Sequence, residues 1–211
     1  MVRFSNDADL LAYEPNVFVD LPLAAQRRLR AEDVVVSGTS VAVAAGGLSS
    51  LAQGDVVVLG REPGQWTAYA IDQIVDDQAL TLGTAAIGFE FEDGDPVAME
   101  VRTFSPQAEL VHEELLRAVG IDVEDVAAGL DADAVLSVSV MRRLEVLGTL
   151  SSAYAAGVGI AGEQALIEAK AARYHKAFSG AMRSARVLID TDGDGRADVW
   201  RTPGVARIVR G

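Results

Sequence analysis

The sequence predicts an α+β protein in which a C-terminal helical core of antiparallel helices carries a β-rich insertion of the SH3-like small-barrel kind. A C-terminal β-hairpin with an extended arm completes it. Three observations lead there. Six short apolar runs separated by Gly, Pro or Asp lie between residues 33 and 103, the grammar of short strands. Apolar residues then recur at spacings of three and four up to about residue 186, the period of an amphipathic helix. Finally, two short apolar runs flank an Asp/Gly-rich stretch between 187 and 201. The chain therefore divides into 1–32, an N-terminal helical segment; 33–103, the small barrel; 104–186, the helical core; and 187–211, the hairpin and arm.

Within the first segment a helix is expected after Ser5 or Asn6, carrying Leu10, Leu11 and Tyr13 and ended by Glu14-Pro15. Val17 to Leu21 reads as extended. Pro22 suits the start of a second short helix over Leu23–Arg30, whose arginines form a solvated face. The expected strands are Val34–Val36, Ser40–Val43, Asp55–Leu59, Thr67–Ile71, Ala79–Leu82 and Val97–Val101. So many short strands in about 70 residues fit a small closed or partly open barrel. Trp66, after the turn Arg61-Glu62-Pro63-Gly64-Gln65, is expected to pack in or over the core. Glu90, Glu92, Asp93 and Asp95 read as a solvated acidic loop.

Ser105-Pro106 marks the start of a helix that Gly120 stops, with Ser105 as its N-cap. Asp133 is expected to cap a long helix carrying Leu136, Val140, Met141, Leu144, Leu147, Leu150 and Tyr154. A third helix, Glu163 to Ser184, follows a loop over Gly157–Gly162. Short connections make these helices antiparallel neighbours.

The richest chemistry lies in Asp190-Thr191-Asp192-Gly193-Asp194-Gly195-Arg196-Ala197-Asp198. Hard cations prefer oxygen ligands, and this spacing offers carboxylates from Asp190, Asp192, Asp194 and Asp198 with the Arg196 carbonyl as a fifth donor. Calcium is the expected ion. In an EF-hand the twelfth position is a bidentate Glu between two helices, whereas here it is Arg201 and the flanks Arg186–Ile189 and Val199–Arg201 read as strands. A hairpin with an acidic tip is expected. A turn that binds nothing specific is the alternative, because Asp and Gly are favoured in turns for their own reasons.

Composition excludes several classes. The chain has 211 residues, a net charge of −13 and no cysteine, so disulfides and thiolate sites are absent. No apolar run approaches the roughly 18 residues of a membrane span, and no membrane association is expected. The first residues lack a secretory apolar segment, so synthesis in the cytoplasm without export by that route is expected. Residues 1–169 hold 27 acidic and 9 basic side chains, net −18, while 170–211 hold 4 and 9, net +5. An acidic body repels nucleic acid, and a basic tail suits an acidic partner. His112 and His175 are the only histidines, and no nucleophile elbow, phosphate loop or His-Glu-x-x-His pair exists, so no enzyme is expected. His112 with Glu113, Glu114 or another carboxylate would be the acid–base or metal alternative; a surface position on its helix is the plainer one.

The order of these features resembles a family. The opening Asn6-Asp7-Ala8-Asp9-Leu10-Leu11-Ala12-Tyr13-Glu14-Pro15-Asn16-Val17-Phe18, a β-rich insertion, and the junction Thr103-Phe104-Ser105-Pro106-Gln107 come first. A helical pair, Leu188–Gly195 and a terminal arm ending Val209-Arg210 then follow. Together they resemble the head-to-tail adaptor, or head completion, proteins of tailed bacteriophages. That resemblance implies a non-enzymatic ring, commonly of twelve copies, in the virion neck. It implies docking on the portal protein, contact with a head-tail stopper or tail-completion protein, and DNA passing through without sequence-specific binding. The large β-rich insertion departs from the smallest members of the group. Val205, Arg207, Ile208, Val209 and Arg210 alternate apolar and charged character as a strand does, so the arm suits addition to a partner's sheet edge. A calcium-stiffened structural or adhesive protein is the rival reading.

Overall fold

The computed structural model describes residues 3–61, 65–83, 96–121, 130–160 and 163–204. The fold is α+β: N-terminal helices, a six-stranded closed barrel, a helical segment and a C-terminal hairpin. Two compact units divide it. One comprises Asn6–Ser105 with Ala156–Ile167; the other comprises Met1–Ser5, Pro106–Ala155 and Glu168–Gly211.

The barrel unit opens with α1 (Asp7–Tyr13) and α2 (Val17–Asp20). Asn6 caps α1 reciprocally: its side chain accepts from the Asp9 N–H at 3.0 Å and the Asp9 carboxylate accepts from the Asn6 N–H at 3.0 Å. The strands are β1 (Arg27–Ser37), β2 (Ser40–Ala42), β3 (Val56–Arg61), β4 (Gln65–Ile74), β5 (Ala79–Leu82) and β6 (Pro96–Arg102). They pair antiparallel in the closed order β1-β2-β5-β4-β3-β6, so no strand edge is left open. Alternate residues fill the interior, among them Val57 and Leu59, Ile71, Leu80 and Leu82, Val97, Met99 and Val101. Val56 and Val58 point the other way and are equally buried, because α1 and α2 lie over β3 and β4. Burial on both faces explains the unbroken Val-Val-Val-Leu run. Trp66 stands opposite Gly60, where an added Cβ would come within 2.5 Å of the indole.

Two expectations in this unit are corrected. Val17–Asp20 is helical, held by Asn16 and Val17 carbonyls, rather than extended. Leu23–Arg30 is not a helix: a single 3-10 turn at Ala24–Gln26 leads directly into β1 at Arg27. Pairing of Leu29, Arg30 and Ala31 with Val101, Glu100 and Met99 of β6 overrides the local helix preference of Leu, Arg and Ala.

The helical unit contains α3 (Ser105–Ala118), α4 (Val138–Gly157) and α5 (Gln164–Ser184), with the helix ends shared with the barrel unit. Gly148 of α4 faces Phe178 of α5, and Tyr154 stacks on Tyr174 with ring centroids 5.6 Å apart. Positions therefore rise along one helix as they fall along the other, and the pair is antiparallel. Ser105 is already within α3; the oxygen that meets its N–H is Thr103 Oγ1 at 3.0 Å. Gly120 ends α3 with φ +74°, a conformation open to glycine. Asp133 does not cap α4. Residues 132–134 form a 3-10 turn capped by Asp131, and Val135 then bridges Ile189, which holds the chain extended until Ser137. The core of this unit joins Phe4, Val111, Leu115, Leu116, Val119, Met141, Leu144, Val187 and Ile189.

Strands β7 (Val187–Ile189) and β8 (Val199–Arg201) pair antiparallel around the acidic loop, as the sequence predicts. The acidic stretch Glu90–Asp95, the turn residues 62–64, positions 161–162 and the arm residues Val205, Arg207, Ile208, Val209 and Arg210 lie outside the described residues.

Candidate functional site

The hairpin loop gathers Asp190, Asp192 and Asp194 so that one carboxylate oxygen from each lies within 4.8 Å of the others. Three like charges at this spacing repel, and backbone N–H groups offset the repulsion. Asp190 Oδ1 accepts from Gly193 at 2.7 Å and Asp192 at 3.2 Å, and its Oδ2 accepts from Gly195 at 2.7 Å. Asp192 accepts from the Asp194 N–H, and Asp194 from the Arg196 N–H. The Gly195 hydrogen bond, joined by those of Gly193 and Asp192, outweighs desolvation and holds the Asp190 carboxyl below the usual range. Gly193 and Gly195 adopt φ near +80°, which lets the loop fold its N–H groups inward.

This donor set fits a hard divalent cation. It is all oxygen, anionic and close enough to converge on one ion, with the remaining coordination left to carbonyls or water. Asp198, expected as a fourth ligand, lies outside this group of three and accepts from Thr191: the hydroxyl and the N–H both reach its Oδ2 at 2.7 Å. Those two bonds lower its pKa against the opposing effects of burial and the Asp190 charge. Arg196 donates its N–H to Asp194, and its carbonyl belongs to the same loop. Arg201, at the position of an EF-hand's closing Glu, donates its guanidinium to the Val119 carbonyl.

The hairpin's other features concern its outer edge. Leu188 donates its N–H to Ser137 Oγ and accepts from Leu136 N–H, so its backbone faces residues 134–137. Its cross-strand partner Trp200 therefore forms a non-hydrogen-bonded pair with it, and the Trp200 N–H and C=O point away from β7. A groove of about 980 Å³ is lined by Arg117–Gly120 at the end of α3 and by Asp198–Gly204. Trp200 is 57% exposed there, with the Arg186 guanidinium 5.1 Å from its ring centroid.

His112 corrects one expectation: it is fully buried rather than on the surface of its helix, and the carboxylate it meets is that of Glu145 in α4. His112 Nδ1 lies 2.8 Å from Glu145 Oε2, while the Glu145 carboxylate also accepts from Ser5 Oγ at 2.6 Å, Ser5 N–H at 3.0 Å and Phe4 N–H at 3.3 Å. The Phe4 ring packs on the imidazole with centroids 4.9 Å apart. His112 Nε2 has no hydrogen-bond partner among the described residues. With no solvent-exposed face, this cluster fastens the start of the chain to α3 and α4. His175 is exposed on α5. The sequence reading missed Glu145 and Ser5; a carboxylate one residue after Leu144, inside the apolar stripe of α4, was the available signal.

Comparison with protein-family models, with curated proteins and with solved structures returned no match. No helix among the described residues is long and apolar enough to cross a membrane.

Proposed function

We propose that this chain is a non-catalytic structural protein of a tailed bacteriophage, a head-to-tail adaptor. In this reading copies assemble as a ring on the portal protein, bind the next neck or tail protein, and form part of the DNA channel. The observation that carries the reading is the order of sequence features resembling that family, ending in a hairpin that delivers a basic, apolar arm. The acidic body of residues 1–169 supports it, because a wall with few cations cannot replace the counterions condensed on DNA and lets a duplex slide. The His112–Glu145 pair fits a non-enzymatic role, since both side chains are fully buried.

The Asp loop belongs to the same reading as a stiffener. Calcium is the ion we assign to it, held by Asp190, Asp192 and Asp194 and keeping the hairpin straight as it aims the arm at the portal. The triad also favours a second reading, a calcium-stiffened structural or adhesive protein without a portal partner.

Co-sedimentation with the cognate portal ring separates them. The full chain should travel with the ring, and a chain lacking residues 202–211 should stay at the top of the gradient. Equal co-sedimentation of the shortened chain would remove the arm from the account; no association of the full chain, with or without calcium, would favour the second reading.

A further inference from the structure

We propose that the outer face of α5 docks on the outer face of α3 in a second copy of this chain, basic surface against acidic. This deepens the adaptor reading by naming the contact between copies, and it rests on that reading only for closure of the contact into a ring.

What the helices bury fixes their outer faces. Val111 of α3 and Phe178 of α5 both pack at Gly148 of α4, and Tyr174 of α5 stacks on Tyr154 of α4. At about 100° per residue, the opposite side of α5 carries Ala169, Ala172, Arg173, Lys176 and Arg183, all exposed. Glu168 is the one acidic residue of α5, and it lies about 80° round the helix from Lys176. Away from its buried residues Ala108, Val111, His112, Leu115 and Leu116, α3 presents Glu109, Leu110, Glu113 and Glu114. Leu110 stands 64% exposed among these carboxylates.

Charge decides the occupant. Glu113 meets Arg117 of its own helix at 3.3 Å; among the described residues no ion pair engages Glu109, Glu114, Lys176 or Arg183. A second copy offers each face a counterpart of opposite sign. The lengths also match, since α3 rises about 17 Å from Pro106 to Arg117 and α5 about 21 Å from Ala169 to Arg183. Leu110 then falls on Ala169 and Ala172, whose small side chains admit it. Nucleic acid would meet the cations of α5 too, but the net −18 of residues 1–169 repels it, and it supplies no apolar anchor for the alanines. The net −13 of each copy opposes approach, yet that repulsion is screened beyond roughly 8 Å at physiological salt, whereas facing side chains lie closer. Because the contact joins two different faces, each copy keeps one of each for a further neighbour, the heterologous arrangement that closes rings.

Disulfide trapping tests this on the full chain, which has no cysteine of its own. Concentrated Leu110→Cys chain mixed with Ala172→Cys chain under oxidised glutathione should cross-link at least about tenfold faster than Leu110→Cys chain mixed with Val75→Cys chain, whose cysteine is exposed on the barrel unit. Adding Arg173→Glu/Lys176→Glu to the Ala172→Cys chain should slow trapping by about tenfold or more, and Glu109→Lys/Glu114→Lys on the Leu110→Cys chain should restore it. Trapping at the control rate overturns the proposal, as does a charge reversal without effect or one that the opposite reversal does not rescue. DNA binding that is lost with Arg173→Glu/Lys176→Glu, with trapping at the control rate, would assign the face to nucleic acid instead. Sedimentation of the unsubstituted chain needs no variant: its average mass should rise with concentration and fall as salt is raised, and a mass that stays constant overturns the contact. No portal is present in either experiment, so their failure leaves portal docking standing, and failed portal docking leaves the contact standing.

Discussion

Glu145→Ala should be among the most damaging single substitutions in the helical unit. Its carboxylate receives four donors: Phe4 N–H, Ser5 N–H, Ser5 Oγ and His112 Nδ1, at 2.6 to 3.3 Å. All three donor residues are buried, His112 completely. Each donor left unbonded costs about 1–3 kcal/mol, so four would sum to far more than is seen when a buried pair is broken. Water entering the vacated space recovers part, and about 3–5 kcal/mol is the expected loss. At an m-value near 2 kcal/mol/M this moves a urea midpoint down by roughly 2 M. Glu145→Gln keeps one carbonyl oxygen and should lose about half as much. Urea titration followed by helical circular dichroism reads both variants. A loss below about 1 kcal/mol for Glu145→Ala would refute the claim that this carboxylate fastens the chain's start to α3 and α4.

Gly148→Ala gains helix propensity of up to about 1 kcal/mol, but its Cβ would sit 2.6 Å from Val111 Cγ1 and 3.1 Å from the Phe178 ring. Overpacking of about 1–3 kcal/mol should win, and a raised urea midpoint would contradict the close approach. In the barrel unit, Arg102→Ala strips the Glu100 carboxylate of its 2.6 Å and 2.9 Å bonds and the Phe18 carbonyl of its donor. Desolvation pushes Glu100 up, yet the hydrogen bond and charge of Arg102, with those of Arg27, hold it low; removing Arg102 should raise its pKa, readable by NMR titration, and cost about 3 kcal/mol. Asp190 and Asp198 both have depressed folded pKa values, so the loop binds fewer protons when folded. Its stabilisation is complete above the ordinary Asp range near 3.9 and falls away as pH drops through the lower folded values; Gly193 and Gly195 amide shifts titrating at or above about 3.9 would contradict this. Asp192→Asn removes one of three converging carboxylates and should weaken calcium binding by about tenfold in calorimetry, whereas equal binding by both proteins would place the ion elsewhere.

How much could be read beforehand depended on where the information lay. Barrel strands β2 to β6, the Val34–Val36 part of β1 and both hairpin strands were legible, because alternating or continuous Val, Ile and Leu bounded by Gly or Asp is a local signal. The acidic loop was legible for the same reason: its carboxylates lie within nine residues. Leu23–Arg30 misled because its composition favours helix, while its conformation is set by β6, some 70 residues away. Likewise α4 starts at Val138 because Val135 bridges Ile189, a partner no local pattern announces. His112 and Glu145 are 33 residues apart and Ser5 is 140 from Glu145, so their meeting follows only from packing. The outward edge at Trp200 depended on which way Leu188 faced, and that was fixed by Ser137.

The adaptor reading meets its most direct test in the native mass of the purified chain, alone and mixed with a portal ring, with and without calcium. The account predicts a protein that gains a ring of copies on the portal, with calcium strengthening the complex through the Asp loop. A mass spectrum in which portal and chain remain separate in both conditions would contradict it.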